Sequence, residues 1–276
     1  MVKKLFKYEW ISGRRFIVPL SLVVLGLAVL GRLVYLFDPS EISFVPLSIV
    51  LSLSQGLVSF FNVLGVGALF IVSEIMLIIR FYRNIVGQEG YLTMTLPVTP
   101  GTHVLVKTVF SVIVSLWNVI VSVCALLILG IGTNVEMEIL NDLYFAASSI
   151  IERLGAVNFA FYIVEGFIAL VALFFFQFSL LYACISVGQL LKKHRVLGAV
   201  LAYIAWYLFT QILGLIFTFS MFFLEGPIET LFDIIVQGPA FWLHASFIFF
   251  ILLYAALSLA FFAISRHMLT KKLNLE

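Results

Sequence analysis

The chain has 276 residues, of which 63% are hydrophobic, 16% aromatic and 11% charged, with 29 Phe and a formal net charge of +2. A water-soluble domain carries about 45–50% apolar and about 25% charged residues, so this composition excludes a water-facing surface and assigns the chain to lipid. The two cysteines, Cys124 and Cys184, both sit inside apolar runs, which excludes a disulfide-stapled secreted scaffold and offers no metal-ligand spacing.

In chain order, the first fifteen residues place Leu5, Phe6, Tyr8, Trp10 and Ile11 among Lys3, Lys4, Lys7, Arg14 and Arg15. This is the pattern of a basic amphipathic helix, 1–15, lying in a membrane interface, or of plain basic flanking of the first span. A spanning helix needs about 20 apolar residues, and six charge-free stretches qualify. They are Phe16–Gly31, extended past a snorkelling Arg32 to Phe37, then Ile42–Ser73, Thr108–Val135, Gly166–Leu191, Val196–Leu224 and Ile234–Ser265. The expected fold is therefore all-α: a polytopic membrane protein of six transmembrane helices in one transmembrane domain, 1–276. With no n-region, short h-region and small-residue cleavage site, the first span is expected to be an anchor rather than a removed signal peptide.

Basic residues orient the spans. Lys3, Lys4, Lys7, Arg14, Arg15, Arg80, Arg83, Lys107, Lys192, Lys193, Arg195, Arg266, Lys271 and Lys272 fall on one face, whereas Arg32 and Arg153 fall on the other. Asp38, Glu41, Glu136, Glu138, Asp142, Glu152, Glu225, Glu229 and Asp233 collect opposite the basic face. Both termini are thus expected in the cytoplasm. Outside, Leu140, Leu143, Ala147, Ile150 and Leu154 recur at helical spacing within 136–154, the mark of a short surface helix or of an amphipathic loop covering the bundle. A second short helix is expected over 228–236, between Gly226-Pro227 and Gly238-Pro239.

Catalytic signatures are missing. The phosphate loop GxxxxGK[ST] does not occur, nor do GxSxG or HExxH, and no His/Cys/carboxylate cluster converges in sequence. His103, His194, His244 and His267 occur singly. The chain is expected to be no enzyme and to hold no metal. Within the spans, ionisable residues are functional candidates because each is expensive in the bilayer. Glu74 lies six residues before Arg80; Glu165 opens the fourth span, where it is expected to be wetted by the outer interface. Asn62, Asn118, Gln177, Gln189 and Gln211 either join helices by hydrogen bonds or line a path, and Gly65 and Gly67 suit close packing.

The segment Arg80 to Lys107 reads RFYRNIVGQEGYLTMTLPVTPGTHVLVK. Gly87 and Gly90 bracket Gln88 and Glu89 and permit a reversal. Tyr91, Leu92, Met94 and Leu96 form a short apolar surface interleaved with Thr93 and Thr95. Thr99-Pro100 has the form of a helix cap with proline at the first helical position. A loop this apolar is expected to dock on the underside of the bundle or on a soluble partner.

The stretch FYRNIVGQEGYLTMTLPVTP, Phe81 to Pro100, together with the opening VKKLFKYEW, the six spans and the basic tail, resembles the permease subunits of bacterial type-2 ABC exporters. The resemblance implies a multi-pass permease of the bacterial cell membrane that pairs with a second copy or paralogue and contacts lipid, with no nucleic acid involved. It also implies ATPase subunits on separate chains, which hold ATP and Mg, so that this chain carries no cofactor. Gln88, Glu89, Gly90, Tyr91, Leu92, Thr93 and Leu96 would form the coupling element of the 80–107 loop. Nothing here resembles the large extracellular domains of some relatives. Asn62, Gln211 and Glu74 are the expected pathway residues, and the many Phe suit an amphipathic peptide, drug or lipid as cargo. The alternatives are an ion- or proton-coupled carrier or channel without an ATPase, and a non-transporting membrane scaffold.

Overall fold

The computed structural model describes the chain apart from residues 1, 38, 40–43, 88, 96, 131–133, 192–193, 236–238 and 272–276, and apart from the side chains of 94, 134–140, 143, 217, 220–235, 239–240 and 242. Among the described residues all regular structure is helical. In chain order it comprises α1 (Val2–Tyr35), α2 (Val45–Phe81), a π-helical turn (Tyr82–Val86), α3 (Gly90–Met94), α4 (Pro100–Gly130), α5 (Asn134–Leu154), α6 (Ala156–Gly188), α7 (Arg195–Ile235) and α8 (Pro239–Lys271). Six of them, α1, α2, α4, α6, α7 and α8, contain stretches long and apolar enough to cross a bilayer. The protein is an all-α polytopic membrane protein.

Two local expectations change. The basic segment is helical but does not form a separate element: α1 runs unbroken from Val2 through Pro19 to Tyr35. Likewise α7 continues through Gly226-Pro227 to Ile235, so no separate helix starts at 228. A proline inside a helix removes one backbone hydrogen bond, and the bonds on either side keep α1 and α7 continuous. The helix expected over 136–154 is α5. It ends at Gly155, whose φ of 88° and ψ of 148° lie in a region that L side chains rarely adopt.

The chain divides into two compact units. Residues 1–79 and 110–149 form the first. Its apolar centre is Val24 and Ala28 of α1, Leu69 of α2, and Val121 and Ala125 of α4, flanked by Leu20, Leu25, Val66 and Ile128. Polar groups tie the same helices together. Trp117 donates to Ser21 Oγ (3.1 Å), Asn62 Nδ2 donates to the carbonyls of Leu27 (3.3 Å) and Val58 (3.0 Å), and the hydroxyls of Tyr35 and Ser59 lie 2.6 Å apart. At the other end of α1, Phe6 and Trp10 stand edge-on to Phe110.

Residues 80–109 and 150–276 form the second unit, in which α6 packs against both α7 and α8. The α6–α7 crossing depends on two glycines. A Cβ on Gly188 would lie 2.5 Å from the backbone nitrogen of Ala199, and one on Gly198 would lie 2.7 Å from the carbonyl oxygen of Gly188. These are backbone contacts, so no rotamer change relieves them. Along α6 and α8, Phe176 stacks on Tyr254 and meets Phe261, which stands perpendicular to Trp206 of α7 with ring centroids 4.8 Å apart. Much of the remaining apolar surface faces outward, as lipid contact requires.

Candidate coupling site at the basic ends of the helices

The described residues of the 80–107 segment are largely helical. Its first part extends α2 by a π-helical turn, closed by the Gly87 N–H donating to the carbonyl of Tyr82 at 2.8 Å. The wider turn adds a residue to the ladder and changes the direction in which the following chain leaves, a device concentrated at functional sites. Phe81, Ile85 and Val86 are buried by it. The chain then reverses into α3, which packs back on the π-helical turn.

Glu89 fastens that reversal. Its Oε1 accepts from Arg83 Nη2 at 3.1 Å. With its amide oriented to satisfy both ends, Asn84 donates to Glu89 Oε2 (2.9 Å) and to the carbonyl of Arg80 (3.2 Å), and accepts from Lys107 Nζ at 3.2 Å. One amide thus links the π-helical turn, the start of α3 and α4. Lys107 is buried on α4, and a buried ammonium has to be hydrogen-bonded, which makes the Asn84 carbonyl a structural partner.

Three further contacts brace the element. Phe81 stacks on Tyr182 of α6, with centroids 3.8 Å apart and planes 6° apart. Arg195, the first residue of α7, donates from Nη1 to the carbonyl of Val86 at 3.3 Å. Arg266 of α8 lays its stem over Gly101, where an added Cβ would be 3.2 Å from Arg266 Cδ. α4 opens with Pro100 as its first residue; the Thr102 N–H donates to the Thr99 carbonyl at 2.9 Å, and the two hydroxyls lie 2.9 Å apart.

The seven expected coupling residues divide into distinct roles. Gly90 is buried at the base of α3. Thr93 turns its hydroxyl inward to the carbonyl of Glu89 (3.1 Å), and Glu89 is bound as described. Tyr91 and Leu92 remain 66% and 69% exposed, neighbouring apolar side chains on a fixed helix tip. Gln88 and Leu96 lie outside the described residues. Sequence spacing gave no sign of Asn84 as the pivot or of Arg195 as a brace, because the bonds that give them these places reach to Lys107 of α4 and, 109 positions away, to Val86.

The expected pathway residues belong to both units. Asn62 is buried in the first unit, where it bonds α1 to α2. Glu74 is half-buried on α2 in the same unit, while Gln211 is exposed on α7 in the second. Glu165, expected to be merely wetted, is instead partnered: both its oxygens lie 2.9 Å from His244 Nδ1. Among the described residues no group of three or more His, Cys, Asp or Glu is arranged to hold a metal ion. No family model, no curated protein and no solved structure matches the chain.

Proposed function

We propose that the chain is the permease subunit of an ATP-driven exporter and that α3 is the element through which a separate ATPase acts on it. The observation that carries this reading is the contrast within α3. Tyr91 and Leu92 are offered outward, while the base of the same helix is tied through Asn84, Glu89 and the π-helical turn to α2 and α4. Phe81 and Arg195 extend the bracing to α6 and α7. An apolar tip of two large residues suits insertion into a groove of a soluble partner, since buried aromatic and aliphatic anchors carry most interface energy. A braced base suits force transmission, because displacement of α3 displaces four helix ends together.

In this reading the basic ends of the helices face the cytoplasm, as the distribution of Lys and Arg favours. A second permease copy or paralogue completes the membrane pore, and nucleotide with Mg resides on the ATPase chains. The abundance of Phe along the spans favours an amphipathic peptide, drug or lipid as the transported molecule.

Affinity purification from the native membrane in mild detergent tests the assignment. The expected result is a stoichiometric ATPase subunit whose hydrolysis is retained in the complex and which is lost from Tyr91→Ala/Leu92→Ala. A chain that purifies alone, under conditions that preserve other membrane complexes, would contradict the assignment and favour an ion-coupled carrier or a scaffold.

A further inference from the structure

Toward the N-terminal ends of α6 and α8, away from the coupling site, Glu165 and His244 face one another. His244 Nδ1 lies 2.9 Å from each carboxylate oxygen, and the side chains are 19% and 23% exposed. The imidazole lies on the ring of Tyr162, centroids 4.4 Å apart and planes 29° apart, with Phe161 edge-on to it and Phe247 beside Tyr162. Gly166, next to the carboxylate, leaves room for Phe247, whose Cε1 would sit 3.9 Å from an added Cβ. An acid and a histidine from different helices thus meet in an aromatic enclosure within stretches otherwise able to span a bilayer.

We propose that Glu165 and His244 form a proton-binding site that holds α6 to α8 when one proton is bound. The chemistry follows from the atoms in contact. With Nδ1 carrying its hydrogen, the neutral imidazole donates to the carboxylate and the pair bears one negative charge. Addition of one proton to Nε2 forms a single N–H bond, converts the contact to an ion pair and brings its charge to zero. In surroundings depleted of water a net charge is costly whereas a hydrogen-bonded neutral pair is tolerated. The face of Tyr162 also favours a cationic ring above it.

Tyr162 is the titratable side chain in contact with the pair, and Phe161 and Phe247 add no charge. α7, packed on α6, carries no charged residue between Arg195 and Glu225. Its acids Glu225, Glu229 and Asp233 follow, with side chains outside the described set. The contact geometry gives the direction: with the proton bound, imidazolium and carboxylate form an ion pair, and without it only a neutral hydrogen bond remains, so the tether is the stronger in its protonated form. The site does not depend on the transport assignment, since it would operate equally in a scaffold.

The test is thermal unfolding of the purified full chain in mild detergent at about pH 5.5 and about pH 8, for wild type, Glu165→Gln, His244→Gln and the double variant. The expected result is a coupling between the two positions that is worth a few degrees of Tm at the acidic pH, on the scale of about 2–4 °C per kcal/mol, and that falls by at least half at the alkaline pH. His244→Lys, which keeps a cation opposite Glu165 at both pH values, should retain acid-form stability and lose that share of the pH dependence. It also supplies the comparison if His244→Gln does not fold. A coupling equal at the two pH values, or a His244→Lys variant with the wild-type pH profile, would overturn the proposal. Neither result bears on whether an ATPase binds α3.

Discussion

Phe81, the last residue of α2, lies flat against Tyr182 of α6, their ring centroids 3.8 Å apart and both side chains almost fully buried. This stack joins the end of α2, just before the π-helical turn, to α6 within the second unit. Truncation of a buried Phe to Ala costs about 3–5 kcal/mol in well-packed cores, so Phe81→Ala is expected to lower the unfolding temperature strongly. Phe81→Leu, which keeps most of the volume, should cost markedly less; equal losses from the two would mean that the stack carries little energy. Thermal unfolding of the purified chain reads both.

The glycine crossing of α6 and α7 gives a prediction with an internal control. Gly188→Ala drives a methyl into the backbone of Ala199 and should destabilise by about 1–3 kcal/mol, the usual range for overpacking. Gly214→Ala, on α7 with nothing within 4 Å of the new methyl, should leave stability unchanged or slightly raised, because alanine favours helix by about 1 kcal/mol over glycine. The same unfolding assay compares them.

At the turn between α2 and α3, Glu89→Gln and Asn84→Leu separate an exposed ion pair from a hydrogen-bonding amide. The Arg83–Glu89 pair is 68% and 50% exposed, and exposed pairs are worth roughly 0–1 kcal/mol, so Glu89→Gln should barely move stability. Asn84→Leu removes three hydrogen bonds at once, to Glu89, to the Arg80 carbonyl and from Lys107, and at about 0.5–1.5 kcal/mol for a typical bond it should cost more than Glu89→Gln. A larger loss from Glu89→Gln than from Asn84→Leu would reverse the assigned roles.

Tyr91→Ala and Leu92→Ala test docking without touching the fold. Both side chains are largely exposed, so substitution should change stability by no more than about 0.5 kcal/mol. ATPase association should nevertheless fall at least tenfold if these are interface anchors, each worth about 2 kcal/mol or more. Binding measured with purified partner chains provides the readout.

The sequence disclosed what depends on local composition. Charge-free runs located six spans, because an ionised side chain inside lipid is expensive wherever it occurs. Pro100 marked the start of α4, and the spacing of Leu140 to Leu154 marked α5, since both signals lie within a few turns of helix. Continuity was harder to read. Gly226-Pro227 reads as a helix boundary, yet α7 passes through it, as α1 passes through Pro19. Least legible were the long-range partners. Glu165 and His244 are separated by 79 positions and meet because α6 and α8 run side by side in a fixed register. Asn84 reaches Lys107 because the π-helical turn re-aims the end of α2, and no periodicity in the sequence announces that turn.

The central claim, that α3 is where an ATPase grips this chain, is tested most directly by a photo-crosslinking amino acid placed at position 92 in native membranes, with position 208, an exposed site on α7, as the control. The account predicts a light-dependent adduct between position 92 and a nucleotide-binding ATPase chain, and none from position 208. Adducts from both positions alike, or none from position 92 in cells that contain the ATPase, would contradict it.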